Sequence, residues 1–102
     1  MPKRTRDYEA DLLQRLADQD YAVDYLNAVL ADSAEDDGGE FLAALRLVAK
    51  AQGIAMSQLA EETELGRQAL YRSLSKEGNP VHATLVAVLR QLGLRLAVDK
   101  AA

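Results

Sequence analysis

The stretch that decides the fold is AMSQLAEETELGRQALYRSLS, residues 55–75, which holds two short helical patterns separated by only a few residues. In the first pattern Leu59 and Ala60 face inward, and a residue as small as Ala60 lets a second helix cross closely. In the second pattern Leu70 and Leu74 lie four residues apart, on the face that turns to the core. The spacing predicts a helix-turn-helix.

The second helix of this unit is polar on the face opposite to its leucines. Gln68, Tyr71, Arg72 and Ser75 fall at i, i+3, i+4 and i+7. Arginine and glutamine offer paired hydrogen bonds to base edges in the major groove, and tyrosine and serine reach phosphates. Arg67 and Gln68 stand at the helix start, where a recognition helix presents its reading residues. From spacing alone, a solvated helix face is an equally good interpretation.

Four further stretches carry apolar residues at helical spacing. They comprise residues 7–17, a stretch from Asp20 to about residue 30, and stretches of about 40–52 and 82–92. We expect Asp20, Asp36 or Asp37, and Ser57 to cap helices, and Gly53 and Gly93 to end them.

The chain is rich in leucine and alanine and only 5% aromatic, which favours helices. Residues 94–98, LRLAV, alternate loosely between apolar and polar and are compatible with one short edge strand. The sequence therefore predicts an all-α fold, with that single strand as its only extended element.

Charge divides the chain into two parts. Residues 1–37 carry four basic and ten acidic side chains, a net charge of −6, and residues 38–102 carry eight basic and six acidic ones, a net of +2. The break falls at SAEDDGG, residues 33–39. We predict an acidic N-terminal helical arm, 1–37, and a helix-turn-helix DNA-binding domain, 38–102. Two binding surfaces of opposite sign explain the asymmetry; acidic residues that only keep the arm soluble explain it too.

Catalysis and metal binding find little support in the sequence. There is no cysteine and one histidine, His82, so a transition-metal site lacks its usual ligands. The neighbouring carboxylates Glu61 and Glu62 point apart on a helix and form no convergent pair. We expect no enzyme activity, no metal and no cofactor. The basic start lacks the apolar run of a signal peptide, and no segment approaches a membrane span, so we expect a soluble cytoplasmic protein.

Residues 59–80, LAEETELGRQALYRSLSKEGNP, followed by ATLVAVLRQLGLRLAV at 83–98, resemble the small antidote proteins of type II toxin–antitoxin modules. The resemblance is to the HigA-like branch of the Xre/Cro-type helix-turn-helix repressors. Its specific parts are LAEET at 59–63, the pair Leu70-Tyr71, the turn at 75–80 and Leu92-Gly93-Leu94.

This resemblance implies a lambda-repressor-like helix-turn-helix bundle and an antitoxin function. Such a protein neutralises a RelE/HigB-like toxin and represses its own operon as a homodimer bound to operator DNA. The reading role falls on Arg67, Gln68, Tyr71 and Arg72, with backbone contacts from Ser57 and Lys76.

The sequence departs from the family pattern at two positions. Gly66 stands where such proteins have a capping serine or threonine, and Glu64 occupies a turn position where glycine is common. These departures support one alternative, a helical adaptor that binds protein without binding DNA. A stand-alone Xre/Cro-type repressor without a toxin partner is the other.

Two further surfaces follow from charge and hydrophobicity. The acidic arm, with Tyr8, Leu12, Tyr21 and Tyr25, is the candidate toxin-binding surface, because proteins that cut RNA are expected to present basic surfaces. A chain this small cannot bury all its apolar residues internally. We therefore predict a dimer interface formed by Leu85, Leu89, Leu92, Leu94, Leu96 and Val98.

Overall fold

Six α-helices make up the regular secondary structure in the computed structural model, which describes residues 2–32, 38–75 and 77–101. They are α1 Pro2–Leu16, α2 Gln19–Asp32, α3 Gly39–Ala51, α4 Met56–Glu61, α5 Arg67–Ser73 and α6 His82–Gln91. The all-α prediction is confirmed. Helices α1 and α2 pack on each other and on α3, whereas α4 packs on α5 and α6.

One hydrophobic core runs through both halves of the molecule. Its members come from every helix, and Leu16 of α1 and Leu26 of α2 lie in the same cluster as Leu70 of α5. The largest fully buried side chains are Leu16, Leu45, Val48, Leu59, Leu70, Leu74 and Val88. Because leucines at helical spacing form most of this cluster, the periodicity of the sequence explains which face of each helix is buried.

Two of the helices end at a glycine, as the sequence predicts. Gly53 follows α3 with φ +72°, and Gly93 follows α6 with φ +75°. The amide of Ile54 donates to the carbonyl of Ala49 at 2.9 Å, and the amide of Leu94 donates to that of Leu89 at 2.8 Å. This pattern satisfies the last carbonyls of each helix and requires a left-handed residue, which glycine adopts without strain.

The helix starts differ from the sequence predictions. The carboxylate of Asp18 accepts the amide of Asp20 at 3.0 Å, so Asp18, and not Asp20, caps α2. Ser57 is the second residue of α4 and does not cap it; the side chain of Gln58 accepts the amide of Ala55 at 2.8 Å instead. A Glu or Gln at the third helical position commonly reaches back in this way. The predicted cap of α3, Asp36 or Asp37, lies outside the described residues.

A pair of glutamines ties the ends of three helices together. The side-chain amide of Gln19, at the start of α2, donates to the carbonyl of Leu92 after α6, at 2.8 Å. The amide of Gln52, after α3, donates to the carbonyl oxygen of the Gln19 side chain at 2.7 Å. These bonds satisfy a carbonyl left over at a helix end, and they connect the start of α2 to the ends of α3 and α6.

The short strand predicted at residues 94–98 is absent, and this part of the prediction is wrong for the protomer. From 94 to 101 the backbone runs without a helix, turn or bend and pairs with no neighbouring strand. A strand requires a second extended segment to complete its hydrogen bonds. The described part of the chain offers none.

Candidate functional site

The turn between α4 and α5 is held by Thr63. Its hydroxyl accepts the amide of Leu65 at 3.1 Å and donates to the carbonyl of Ala60 at 3.0 Å. These two bonds close the turn onto the end of α4, as a short side chain that bonds its own backbone does in many turns. The direction in which α5 leaves the turn is thereby fixed.

Gly66 precedes α5 in an extended conformation, with φ −74° and ψ 167°, and no side chain caps the helix. This backbone conformation suits any residue. A Cβ atom built at Gly66 meets no other atom within 4 Å. Neither strain nor space therefore demands glycine here, and the missing cap is a property of this sequence and not of the fold.

Helix α5 buries Leu70 completely and turns its polar residues to solvent. Arg67, Gln68, Tyr71 and Arg72 are all exposed. Ser57 of α4 lies beside them: Ser57, Arg67, Gln68 and Tyr71 line one depression of about 400 Å³. We call Ser57, Arg67, Gln68, Tyr71 and Arg72 the reading face. The sixth predicted residue, Lys76, lies outside the described residues.

Two basic residues that the resemblance did not supply lie next to the reading face. Arg46 and Lys50 of α3 line a second depression, of about 510 Å³, together with Tyr71 and Met56. The Nε atom of Arg46 is buried and has no hydrogen-bond partner among the described residues. The signal in the sequence was their spacing, because like charges at i and i+4 cost helix stability unless an anion lies nearby.

Positive charge on this side of the molecule is not neutralised internally. Within the described ranges, the side chains of Arg46, Lys50, Arg67 and Arg72 form no ion pair with a carboxylate. Four cations without an ion pair, beside exposed glutamine and tyrosine, attract a polyanion, and the exposed carboxylates of Glu61, Glu62 and Glu64 in α4 and the following turn oppose this attraction.

A second region, α1 with α2, carries three tyrosines close together. Burial raises the pKa of Tyr25, and the neighbouring Tyr8 and Tyr21 raise it further. Tyr8 is 70% exposed, and Tyr21 also reaches solvent. A side-chain hydrogen bond to Tyr21, and then the Asp11 carboxylate 3.2 Å away, raise the pKa of Arg15. We call Tyr8, Tyr21 and Tyr25 the tyrosine surface.

The surroundings of the tyrosine surface are acidic. Exposed carboxylates on α1 and α2 are those of Asp7, Glu9, Asp11, Asp18, Asp20, Asp24 and Asp32. Leu12, the fourth residue predicted to contact a partner, is half-buried and packs against the core. Tyr8 and Tyr21 therefore form the accessible part of the predicted surface, whereas Tyr25, like Leu12, is half-buried against the core.

The residues predicted to form a dimer interface divide into two groups. Leu89 and Leu92 are buried in the core of the protomer, and Leu85 and Leu94 are half-buried against it. Leu96 and Val98 are exposed, Val98 fully. Only these last two offer a large apolar surface that a second copy would cover.

The described residues contain neither a cluster of metal-binding side chains nor a helix that could span a membrane. No group of three or more His, Asp or Glu side chains converges there in a way that would hold a metal ion. None of the six helices has both the length and the apolar character needed to cross a bilayer. His82 is exposed at the start of α6.

Comparison with known proteins assigns the chain to a family. A family model described as "Probable addiction module antidote protein" matches residues 7–100. A protein of Haemophilus influenzae (strain ATCC 51907 / DSM 11121 / KW20 / Rd), described as uncharacterized, is 33% identical over 100 residues, which cover 98% of this chain and 96% of that protein. No solved structure matches. The chain belongs to the family of probable addiction module antidote proteins, the antitoxin components of toxin–antitoxin systems.

Proposed function

We propose that this protein is a cytoplasmic antitoxin with two separate binding surfaces. One, the reading face, places α5 in the major groove of the protein's own operator and represses the operon. The other, the tyrosine surface with its surrounding carboxylates, captures a cognate RelE/HigB-like toxin. The described residues offer no catalytic constellation, and neutralisation by binding requires none.

The observation that carries the DNA-binding role is the reading face itself. Arg67 and Gln68 are exposed at the start of α5, after a turn that the Thr63 side chain holds. Both side chains read bases through paired hydrogen bonds, arginine to guanine and glutamine to adenine. Ser57 and Tyr71 at the rim of the same depression are suited to phosphates, as are Arg46 and Lys50 beside it.

The toxin-binding role rests on charge and on aromatic exposure. A toxin that cuts RNA has a basic surface for its substrate, and the acidic α1 and α2 complement it. Tyrosine supplies large contact area at a small cost in conformational entropy, so exposed tyrosines frequently dominate binding energies. The tyrosine surface holds two exposed tyrosines, Tyr8 at 70% and Tyr21 at 36%, beside the half-buried Tyr25.

A homodimer completes the proposal. In a lambda-repressor-like arrangement, two copies present their recognition helices to successive major grooves about 34 Å apart. The exposed Leu96 and Val98 support association of two copies, because apolar side chains of this size gain free energy when they are covered.

Two assays test the proposal, one in growing cells and one with the purified chain. Co-expression with the product of the adjacent gene should give a stable complex and relieve growth inhibition by that product. A gel shift with the chain's own promoter should weaken steeply with salt, because each neutralised phosphate releases counterions. If the promoter fragment is not shifted even at low salt, operator binding is contradicted. If the chain does not form a complex with the product of the adjacent gene, the antitoxin role is contradicted.

A second candidate function is a protein-binding adaptor without operator binding. Two observations favour it: Gly66 gives α5 no side-chain cap, and Glu64 is exposed in the turn beside the reading face. The adaptor predicts toxin capture with no salt-dependent shift. A stand-alone repressor predicts the reverse, a shift with no partner.

A further inference from the structure

Residues 94–100, LRLAVDK, leave the core after Gly93, and the backbone of residues 95–98 within this segment is unpaired. No hydrogen bond within the described chain involves the backbone of residues 95–98. Val98 is fully exposed, and Leu96 is 47% exposed. Unpaired backbone next to exposed branched residues forms a template for pairing with another extended chain.

The same residues are complementary to themselves when read in the opposite direction. In an antiparallel pair centred on Ala97, Arg95 stands opposite Asp99 of the partner subunit, and Leu96 stands opposite the partner's Val98. Alternation then puts both ion pairs on one face of the ribbon, with Ala97 between them, and puts Leu94, Leu96 and Val98 on the other, where Lys100 lies at the end of the ribbon. Registers shifted by two residues place Arg95 opposite Ala97, or opposite the residue after Lys100, and lose this pairing.

An apolar groove adjoins the segment and provides a place for the apolar face of such a ribbon. It has a volume of about 370 Å³ and lies between α2, the start of α3 and residues 93–97. Val23, Leu30 and Leu96 line it, as do Arg95 and Ala97, and Val23 and Leu30 are both exposed. Val98 of the partner subunit, opposite Leu96, would add apolar surface beside this groove.

We infer that residues 94–100 pair with the same residues of a second copy in an antiparallel two-stranded ribbon centred on Ala97. The occupant is another copy of this chain because charge and shape match in that register. The inference rests on the proposed homodimer and specifies which residues form the contact between the two copies. The reading face takes no part in that contact. It also explains why the predicted strand is missing from a single protomer.

Cysteine cross-linking tests the register. The chain contains no cysteine, so each variant carries a single thiol. In the ribbon, the two copies of residue 97 have Cα atoms about 4.5–5.5 Å apart, within reach of a disulfide. Ala97→Cys should form covalent dimers under mild oxidation. Lys100→Cys is the matched control: its two copies are about 20 Å apart in the same ribbon, and it should stay largely uncross-linked.

Charge exchange tests the ion pairs. Arg95→Asp and Asp99→Arg, each alone, put like charges opposite each other twice per dimer, and should weaken dimerisation about tenfold in sedimentation equilibrium. The double exchange restores opposite charges and should return the dissociation constant to within about threefold of the original. Equal dissociation constants for all four proteins would overturn the ribbon.

The outcomes separate the ribbon from the function on which it rests. If the unmodified chain sediments as a dimer while Ala97→Cys cross-links no better than Lys100→Cys, the ribbon is overturned and the homodimer remains. If the chain is monomeric at high micromolar concentration, both are overturned. If Ala97→Cys cross-links fully but no operator shift occurs, the ribbon stands and operator binding fails.

Discussion

Helices α1 and α2 form one pair and the shorter helices α4 and α5 form another, and both pairs bury leucines in the same core, yet their outer faces differ. The first pair shows tyrosines among carboxylates, and the second shows arginine and glutamine without an ion pair to a described residue. The stretch 1–37 has a net charge of −6, against +2 for 38–102. One core can thus support two surfaces with different ligands, because burial constrains only the inner face of each helix.

The two regions are joined, however, and are not independent bodies. Leu16 and Leu26 lie in the common core, and the Gln19 and Gln52 side chains connect α2 to the ends of α3 and α6. The shared core predicts that α1 and α2 unfold together with the rest of the chain. The different outer faces predict that each region binds its own ligand.

The largest expected effect is on folding. Leu16→Ala in α1 removes a fully buried side chain from the shared core and should lower the free energy of unfolding by about 2–5 kcal/mol. Urea unfolding followed by tyrosine fluorescence, which reports mainly on α1 and α2, and by circular dichroism should give coincident curves.

Leu30→Ala in α2 is the control, because Leu30 is 53% exposed and its loss should cost less than about 1 kcal/mol. Two separate unfolding transitions for Leu16→Ala would show that α1 and α2 fold independently of the rest. The prediction that the two regions unfold together would then be wrong.

The next effect is on partner binding. Tyr8→Ala combined with Tyr21→Ala should weaken capture of the toxin by at least about 30-fold, since exposed tyrosines at the centre of an interface contribute about 2 kcal/mol or more each. Isothermal titration with the toxin measures the change. Tyr71→Ala removes a tyrosine that is 55% exposed from the reading face and should leave toxin affinity unchanged. Equal losses for the two variants would argue that the surfaces are not separate.

A smaller effect concerns the missing cap of α5. Gly66→Ser should raise the free energy of unfolding by about 0.5–1 kcal/mol, because serine caps the helix and restricts the unfolded chain. The backbone at Gly66 accepts serine without strain, and its Cβ meets no neighbour. Gly53→Ser has the same free space but φ +72°, so it should lower stability by about 1 kcal/mol. In thermal unfolding, Gly66→Ser should raise the melting temperature and Gly53→Ser should lower it. A change of the same sign in both variants would contradict the backbone conformations assigned to the two glycines.

The smallest effect is a pH dependence within the tyrosine surface. Burial raises the pKa of Tyr25, so the folded chain holds this proton more tightly than the unfolded chain does. The resulting stability is fully present below about pH 10, the ordinary tyrosine value, and is lost as the pH rises further. Tyr25→Phe removes this titration, and its unfolding free energy should fall less steeply above pH 10. Parallel pH profiles would show that Tyr25 is not the group responsible.

Local signals in the sequence predicted much of this fold. Gly53 and Gly93 marked helix ends because only a left-handed residue closes a helix in that way, and the leucine spacing marked the buried faces. The start of α5 at Arg67, and with it the exposure of the reading face, followed from the same spacing.

Contacts between distant residues were not predictable in this way. The bonds from Gln19 to Leu92 and from Gln52 to Gln19 join residues far apart in the chain, and glutamine has no periodic signature. Serine is a common helix-capping residue, and the sequence predicts this role for Ser57. In the structure α4 begins one residue earlier, at Met56, and the side chain of Gln58 accepts the amide of Ala55. Whether Leu89 and Leu92 faced the core or a second copy depended on packing that periodicity alone does not distinguish.

The most direct test of the central claim compares two variants that remove the same pair of residue types from different helices. Arg67→Ala with Gln68→Ala alters the reading face, and Arg90→Ala with Gln91→Ala removes an identical Arg-Gln pair, with the same change in net charge, from α6. Titration of a labelled fragment of the chain's own promoter should show at least about a 100-fold loss of affinity for the first variant, since each base contact is worth about 1–3 kcal/mol. The second should change affinity only a few-fold. An equal loss for both variants, or none for the first, would contradict the reading face as the operator-binding surface.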